Sequence, residues 1–212
     1  MRQDVSQKKL AVLGASGTTG RHVVARALQR GHAVVALVRR PGTIAPHPGL
    51  REIQWQGATD SAAVRSAVAG ADVVISTLGG AETGPTTVCT DAVRTLLPAM
   101  SGAAIDRLIA VSAHGVLETH DGSLYSRAVW SRVGERMKDK ETMEALVVDS
   151  GLRWTIVRPP MLRDGPATGD YQTGDQLPIM LWHSIGRADL ADFLVREAES
   201  ADFVHRYPRI HR

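Results

Sequence analysis

The chain has 212 residues, 43% of them apolar and 22% charged, which suits one domain with a full-sized core. Twenty-five basic residues against 22 acidic ones leave a formal charge of only +3, spread out except in the tail from His205 to Arg212, so the dense basic stripe of a nucleic-acid binder is absent. No apolar run is long enough to span a bilayer, the single Cys89 excludes an internal disulfide, and no Cys/His spacing fits a zinc site.

Residues 1–7 are polar and lack an apolar signal-peptide core, and read as a disordered lead-in to one domain over residues 8–212. With one cysteine, the expected setting is a reducing cytoplasm. Leu10 to Leu13 then has the length and β content of a buried parallel strand, broken at Gly14, with glycines again at Gly17 and Gly20. His22 to Arg30 reads as a helix with Val23, Val24, Ala27 and Leu28 on one face and Gly31 closing it. Val34 to Val38 follows as a second strand and runs into Arg39 and Arg40. Strand, glycine turn, helix and strand make a dinucleotide-binding unit.

The turn is spaced Gly-x-x-Gly-x-x-Gly. Gly14 permits the sharp exit from the strand, Gly17 lets the backbone approach a pyrophosphate, and Gly20 lets the helix lie close to the sheet. The helix start offers free amides to phosphate, with Ser16, Thr18 and Thr19 adding hydroxyls. An NAD-selective site would place an acid at the end of the second strand; Arg39 stands there instead, suited to a 2′-phosphate, so NADP(H) is the expected cofactor.

Strand and helix keep alternating. Glu52 to Gly57 reads as a third strand, Ser61 to Ala69 as a helix capped by Asp60 or Ser61, and Asp72 to Thr77 as a fourth strand. A helix from Pro85 to about Met100 has Pro98 distorting its last turn. Arg107 to Ser112 is a fifth strand, about Ser131 to Ser150 a helix ending at Gly151, and Arg153 to Arg158 a sixth strand. Tyr171 to Trp182 is irregular, Arg187 to Glu197 helical, and Phe203 to Tyr207 a last strand. The pattern implies an α/β fold, a doubly wound parallel sheet with a small C-terminal elaboration, whose ligands bind outside the carboxyl ends of the strands.

Three stretches, Val12 to Gly20, Gly57 to Val64 and Ser150 to Pro160, resemble the atypical short-chain dehydrogenase/reductases of the NAD(P)H-binding, Rossmann-type family. Within that group the chain is similar to the biliverdin-IXβ reductases, also called flavin reductases. That similarity rests on Leu78-Gly79, Pro85 to Val88, Pro159-Pro160, Thr168 to Tyr171, Arg187 to Leu190 and Tyr207-Pro208, in unbroken order. The resemblance implies that Gly14, Ser16, Gly17, Thr18, Thr19 and Gly20 hold the pyrophosphate and Arg39 the 2′-phosphate. Ala58 and Thr59 would sit at the adenine edge, and Leu78 and Gly79 along the adenosine and ribose. Ser112, Lys140, Pro159 and Met161 would surround the nicotinamide half, with Ser112 and Lys140 as catalytic candidates. It also implies a monomer or weak homo-oligomer. Four positions depart from the family: Ala58 replaces its aspartate, Lys140 and Met161 stand at its histidines, and Ala113 at a serine.

Alcohol–ketone chemistry in ordinary short-chain dehydrogenases uses a Tyr-x-x-x-Lys pair, because an alkoxide must receive a proton. Tyr125 is followed four residues on by Val129, and Tyr171 and Tyr207 likewise have no lysine partner. Flavin-like, quinone-like and bilin-like acceptors escape that need by spreading charge over a conjugated system. Pro159, Pro160 and Met161 suit a flat acceptor; Trp182 fits that wall too, although a core position is the simpler expectation. His114 stands where a general acid could act, or is a hydrogen-bonded structural residue. An NADPH-dependent reductase of small-molecule acceptors is therefore the leading reading, beside a non-catalytic NADP(H)-sensing regulator and an NAD(P)-dependent epimerase or dehydratase. No metal, nucleic-acid or membrane role is expected.

Overall fold

Alternating side chains of each sheet strand serve two cores, which is why a helix layer covers both faces of the sheet. The computed structural model describes residues 6–80 and 85–212; Met1 to Val5 of the expected lead-in lie outside them. Six parallel strands, β1 (Lys9–Leu13), β2 (Ala33–Val38), β3 (Leu50–Gln54), β4 (Val73–Ser76), β5 (Arg107–Val111) and β6 (Arg153–Val157), lie in the order β3-β2-β1-β4-β5-β6. Leu10 and Val12 pack under helices α1 (Thr18–Gln29) and α5 (Arg187–Ser200), while Ala11 and Leu13 face α2 (Ser61–Val68), α3 (Val88–Gly102) and α4 (Leu124–Val148). Near-continuous apolar strands are what a sheet buried on both faces requires. The order reverses at β1, which puts a topological switch point where β1 and β4 end.

Several element limits differ from the expectation, each for a local reason. α1 begins at Thr18, four residues before His22, because the turn closes early when the Gly17 amide donates to the Gly14 carbonyl at 2.9 Å. α3 starts at Val88 instead of Pro85. Its cap comes from α4: the buried Asp139 carboxylate accepts from the amides of Cys89 and Thr90, both at 2.9 Å. The helix then runs through Pro98 to Gly102. α4 begins at Leu124, not Ser131, capped by Ser123 accepting from the Ser126 amide; a non-helical Val133 marks the joint between its halves. Asp60, of the two candidates, caps α2 through the Ala63 amide at 3.1 Å.

The elaboration packs beside the end of β6. β7 (Met161–Arg163) pairs in parallel with β9 (Ser184–Gly186), and β8 (Gln172–Gly174) pairs antiparallel with β10 (Arg209–His211). The last strand is thus Arg209–His211; Phe203 to Tyr207 runs beside β6, with the His205 amide donating to the Trp154 carbonyl at 2.7 Å and an isolated Thr155–Arg206 bridge, but His205 at φ +57° breaks the extension. Buried Asp189 of α5 accepts from the amides of Thr168 and Gly169, and the Tyr171 hydroxyl donates to Asp192, so these motif residues tie the segment down. Among the described residues no helix is long and apolar enough to cross a membrane.

Candidate cofactor and acceptor site

The chain leaves β1 through Gly14 at φ +78°, where a Cβ would lie 3.0 Å from Thr77 Oγ1 and 3.2 Å from Leu78 Cδ2. Gly20 is more constrained still. A Cβ there would fall 2.1 Å from the Gly14 carbonyl oxygen, so no side chain fits without moving α1 off the sheet. Gly17, exposed, is the extended N-cap of α1; the helix has no side-chain cap and no acid in its first turn, leaving amides free for an anion. Thr18 is exposed, Ser16 half-buried, and Thr19 buried beside Gly20.

Beside this turn opens a cleft of about 340 Å³ lined by Ser16, Arg21, Arg39, Arg40 and Thr43. Arg21 is steadied by donating from Nε to the Ser16 carbonyl at 3.0 Å. Arg39 and Arg40 are exposed, and neither they nor Arg21 has an ion-pair partner among the described residues. The nearby carboxylate of Glu52 instead accepts from the amides of Gly42 and Ile44, at 2.6 and 3.2 Å, and so holds the loop that carries Thr43. Three guanidiniums and two hydroxyls form a donor set that fits a phosphate monoester. Arg21 and Thr43 escaped the sequence reading; the position of Arg21 directly after the third glycine, on the first helical turn, was the available signal.

Ala58 and Thr59, half-buried and exposed, follow β3 next to Arg39: the Trp55 amide donates to the Val38 carbonyl at 3.1 Å, and Gln54 Nε2 to that of Arg39 at 3.5 Å. Leu78 flanks Gly14, and Gly79 is exposed beyond it. At the other end the Ser112 amide donates to Val157, and the His114 amide to Pro159, joining the exits of β5 and β6. Lys140 Nζ donates to the Val111 carbonyl at 3.0 Å, one residue before Ser112. Ser112 Oγ is buried with no hydrogen-bond partner among the described residues. Pro159 is buried and Met161 half exposed at the rim.

Two expectations change here. Trp182 is no core residue: it is 73% exposed. His114 is buried against the Tyr125 ring (centroids 5.2 Å apart), and burial, aided by Arg209, pushes its pKa down to about 4. It is neutral at pH 7, a poor general acid. Burial also pushes the Tyr125 hydroxyl up to about 12. The candidate residues therefore lie along one edge of the sheet, at the exits of β2, β1, β4, β5 and β6. That edge spans four strand spacings, about 19 Å, with the basic cleft at one end and Ser112, Lys140 and the neutral His114 at the other.

The NAD(P)H-binding family matches residues 14–201. ChuY, described as an anaerobillin reductase from Escherichia coli O157:H7, superposes with a TM-score of 0.81 at 25% identity, covering 95% of this chain and 96% of that one. A wide-type short-chain dehydrogenase/reductase from Veillonella parvula, in complex with NADP, has the same fold (TM-score 0.80, 19% identity, 97% of this chain and 94% of that one). An isoflavone reductase homolog of Zea mays is 39% identical over 97 residues, 42% of this chain. The chain covers only 31% of that maize protein's length.

Proposed function

The chain belongs to the NAD(P)H-binding family, and on that premise we propose that it is an NADPH-dependent reductase of a flat, conjugated acceptor of flavin, quinone or bilin type. The observation that carries the reading is the polar character of the β5–β6 end. Ser112 stands there one residue past the Val111 carbonyl that Lys140 holds, with a neutral, buried His114 two residues on against a Tyr125 whose proton burial makes hard to release. His114 and Tyr125 are thus poorly matched to acid catalysis at neutral pH, and no tyrosine precedes Lys140 at the Tyr-x-x-x-Lys spacing that alcohol–ketone chemistry uses, whereas a delocalised acceptor takes its proton from solvent.

A reduced nicotinamide, when bound, supplies the hydride. The protein's own work is placement. The amides after Gly17 take the pyrophosphate, and Arg21, Arg39 and Arg40, with Ser16 and Thr43, take the 2′-phosphate, which favours NADPH over NADH. Ser112 Oγ and the two Lys140 protons not given to Val111 remain for the ribose and carboxamide. Pro159 and Met161 bound the space where the acceptor lies face to face with the reactive carbon, a proximity effect. The likeness to a bilin reductase along nearly the whole chain supports the same reaction class.

The test is NADPH consumption by the purified chain with riboflavin, FMN, simple quinones and a bilin. At least one should be reduced, and NADPH should be preferred over NADH. Tight NADPH binding with no acceptor reduced would favour the NADP(H)-sensing regulator instead.

A further inference from the structure

Among the described residues seven large apolar side chains stand exposed, and six of them lie on the two segments that leave β5 and β6. Leu117 and Leu124 follow β5; Met161, Met180, Leu181 and Trp182 follow β6. Only Val148, at the far end of α4, lies elsewhere. Single exposed apolar residues are ordinary, but their confinement to the two segments that leave adjacent strands at one edge of the sheet is the distribution a ligand-contacting wall requires.

Trp182 and Leu124 are the most exposed of these, at 73% each, and Trp182 is the aromatic one, on a turn held by three sets of contacts. The His183 amide donates to the Met180 carbonyl at 3.0 Å, and the Met180 amide donates back to His183 Nδ1 at 3.1 Å. The His183 ring stacks on that of His211 in β10, centroids 3.7 Å apart and 12° from parallel. Arg209 Nη1 donates to the Leu177 carbonyl at 3.1 Å. The turn is placed as firmly as it is held. Register sets Ser184 beside Met161, two residues beyond Pro159, so the Trp182 backbone lies within about 7 Å of chain from that pair. An indole kept out in solvent on a rigid support loses little freedom when a ring stacks on it.

Resting on the reductase reading above, we propose that Trp182 is the stacking platform for the acceptor ring, and that it sets a preference for extended aromatic acceptors over small ones. The occupant is the acceptor and not a second copy of the chain. The exposed residues are divided between two segments bordering that edge of the sheet, continuous with Pro159 and Met161, which is the layout of a cleft wall.

The test compares the full chain with Trp182→Ala and Trp182→Phe, using riboflavin and benzoquinone as acceptors. Trp182→Ala should raise the riboflavin KM about three- to tenfold, the range of one aromatic contact. The benzoquinone KM and NADPH affinity should stay unchanged, and Trp182→Phe should restore most of the loss. Riboflavin bound to the NADP⁺-loaded chain should be less fluorescent than when bound to Trp182→Ala, because the indole quenches it. A chain that reduces riboflavin with the same KM with or without the indole overturns the platform while leaving the reductase reading intact. Sedimentation showing a wild-type dimer that Trp182→Ala splits would likewise overturn it, assigning the indole to a copy-to-copy interface. Failure of every acceptor to consume NADPH would instead defeat the reductase reading itself.

Discussion

Replacing Arg39 with alanine removes one of the three guanidiniums lining the cleft at the end of β2. A charge-assisted hydrogen bond to phosphate contributes roughly 1.5–3 kcal/mol. Arg39 is exposed and its charge is screened by salt, and Arg21 and Arg40 remain after the change, so the lower end applies. That corresponds to about a tenfold loss of NADP⁺ affinity. NAD⁺ has no 2′-phosphate to lose, so its affinity should hold, and the ratio of the two should fall by the same factor. Removing Arg40 as well should deepen the loss, since no carboxylate among the described residues competes for either side chain. Calorimetry with both dinucleotides, at low and at raised salt, reads all of this. The wild-type preference should shrink as salt rises. Equal affinities for the two dinucleotides in the wild type would refute the phosphate assignment. An equal weakening of both by Arg39→Ala would point to stacking on the adenine they share.

Other consequences can be read from stability and rate. Gly20→Ala forces a methyl to within 2.1 Å of the Gly14 carbonyl oxygen, and should cost about 3 kcal/mol by urea unfolding and abolish dinucleotide binding; a variant as stable as wild type would mean α1 sits elsewhere. His114 has a folded pKa of about 4 against an ordinary 6.5, so below pH 6.5 the unfolded chain takes up a proton that the folded chain refuses. Stability should therefore fall as pH drops from 6.5 to 4, by about 3 kcal/mol in all from this group, and His114→Asn should flatten that slope; an unchanged slope would contradict the burial of a neutral imidazole. Tyr125→Phe should leave turnover within a few-fold, because a hydroxyl pushed up to about 12 is a poor acid at neutral pH; a loss of about 10²–10⁴ would identify it as the proton donor.

The glycine turn, the strand alternation and the place of Arg39 just past β2 were legible because each is local: a strand, a turn of three glycines and the residue after the next strand are set by neighbouring residues. What was missed depends on distant partners. α3 begins at Val88 because Asp139, some 50 residues away, caps it. The early start of α4 depends on Ser123 and on Trp130 Nε1 donating to the Gly115 carbonyl at 2.7 Å, a contact outside any helical period. A core position is the simpler expectation for Trp182 because large apolar residues bury by default; the stacking of the adjacent His183 on His211 joins segments that only the fold brings together. The neutral state of His114 is equally invisible in sequence, since it follows from burial and from Arg209 on the final strand.

The central claim, direct hydride delivery from NADPH to a conjugated acceptor, is tested most directly by a single turnover of the purified chain. Enzyme preloaded with NADPH, protonated or deuterated at the transferred position, is mixed with riboflavin under anaerobic conditions. NADPH loss and flavin bleaching should run one for one in a single phase, slowed by deuterium. Bound NADPH that persists while the flavin stays oxidised would contradict the claim.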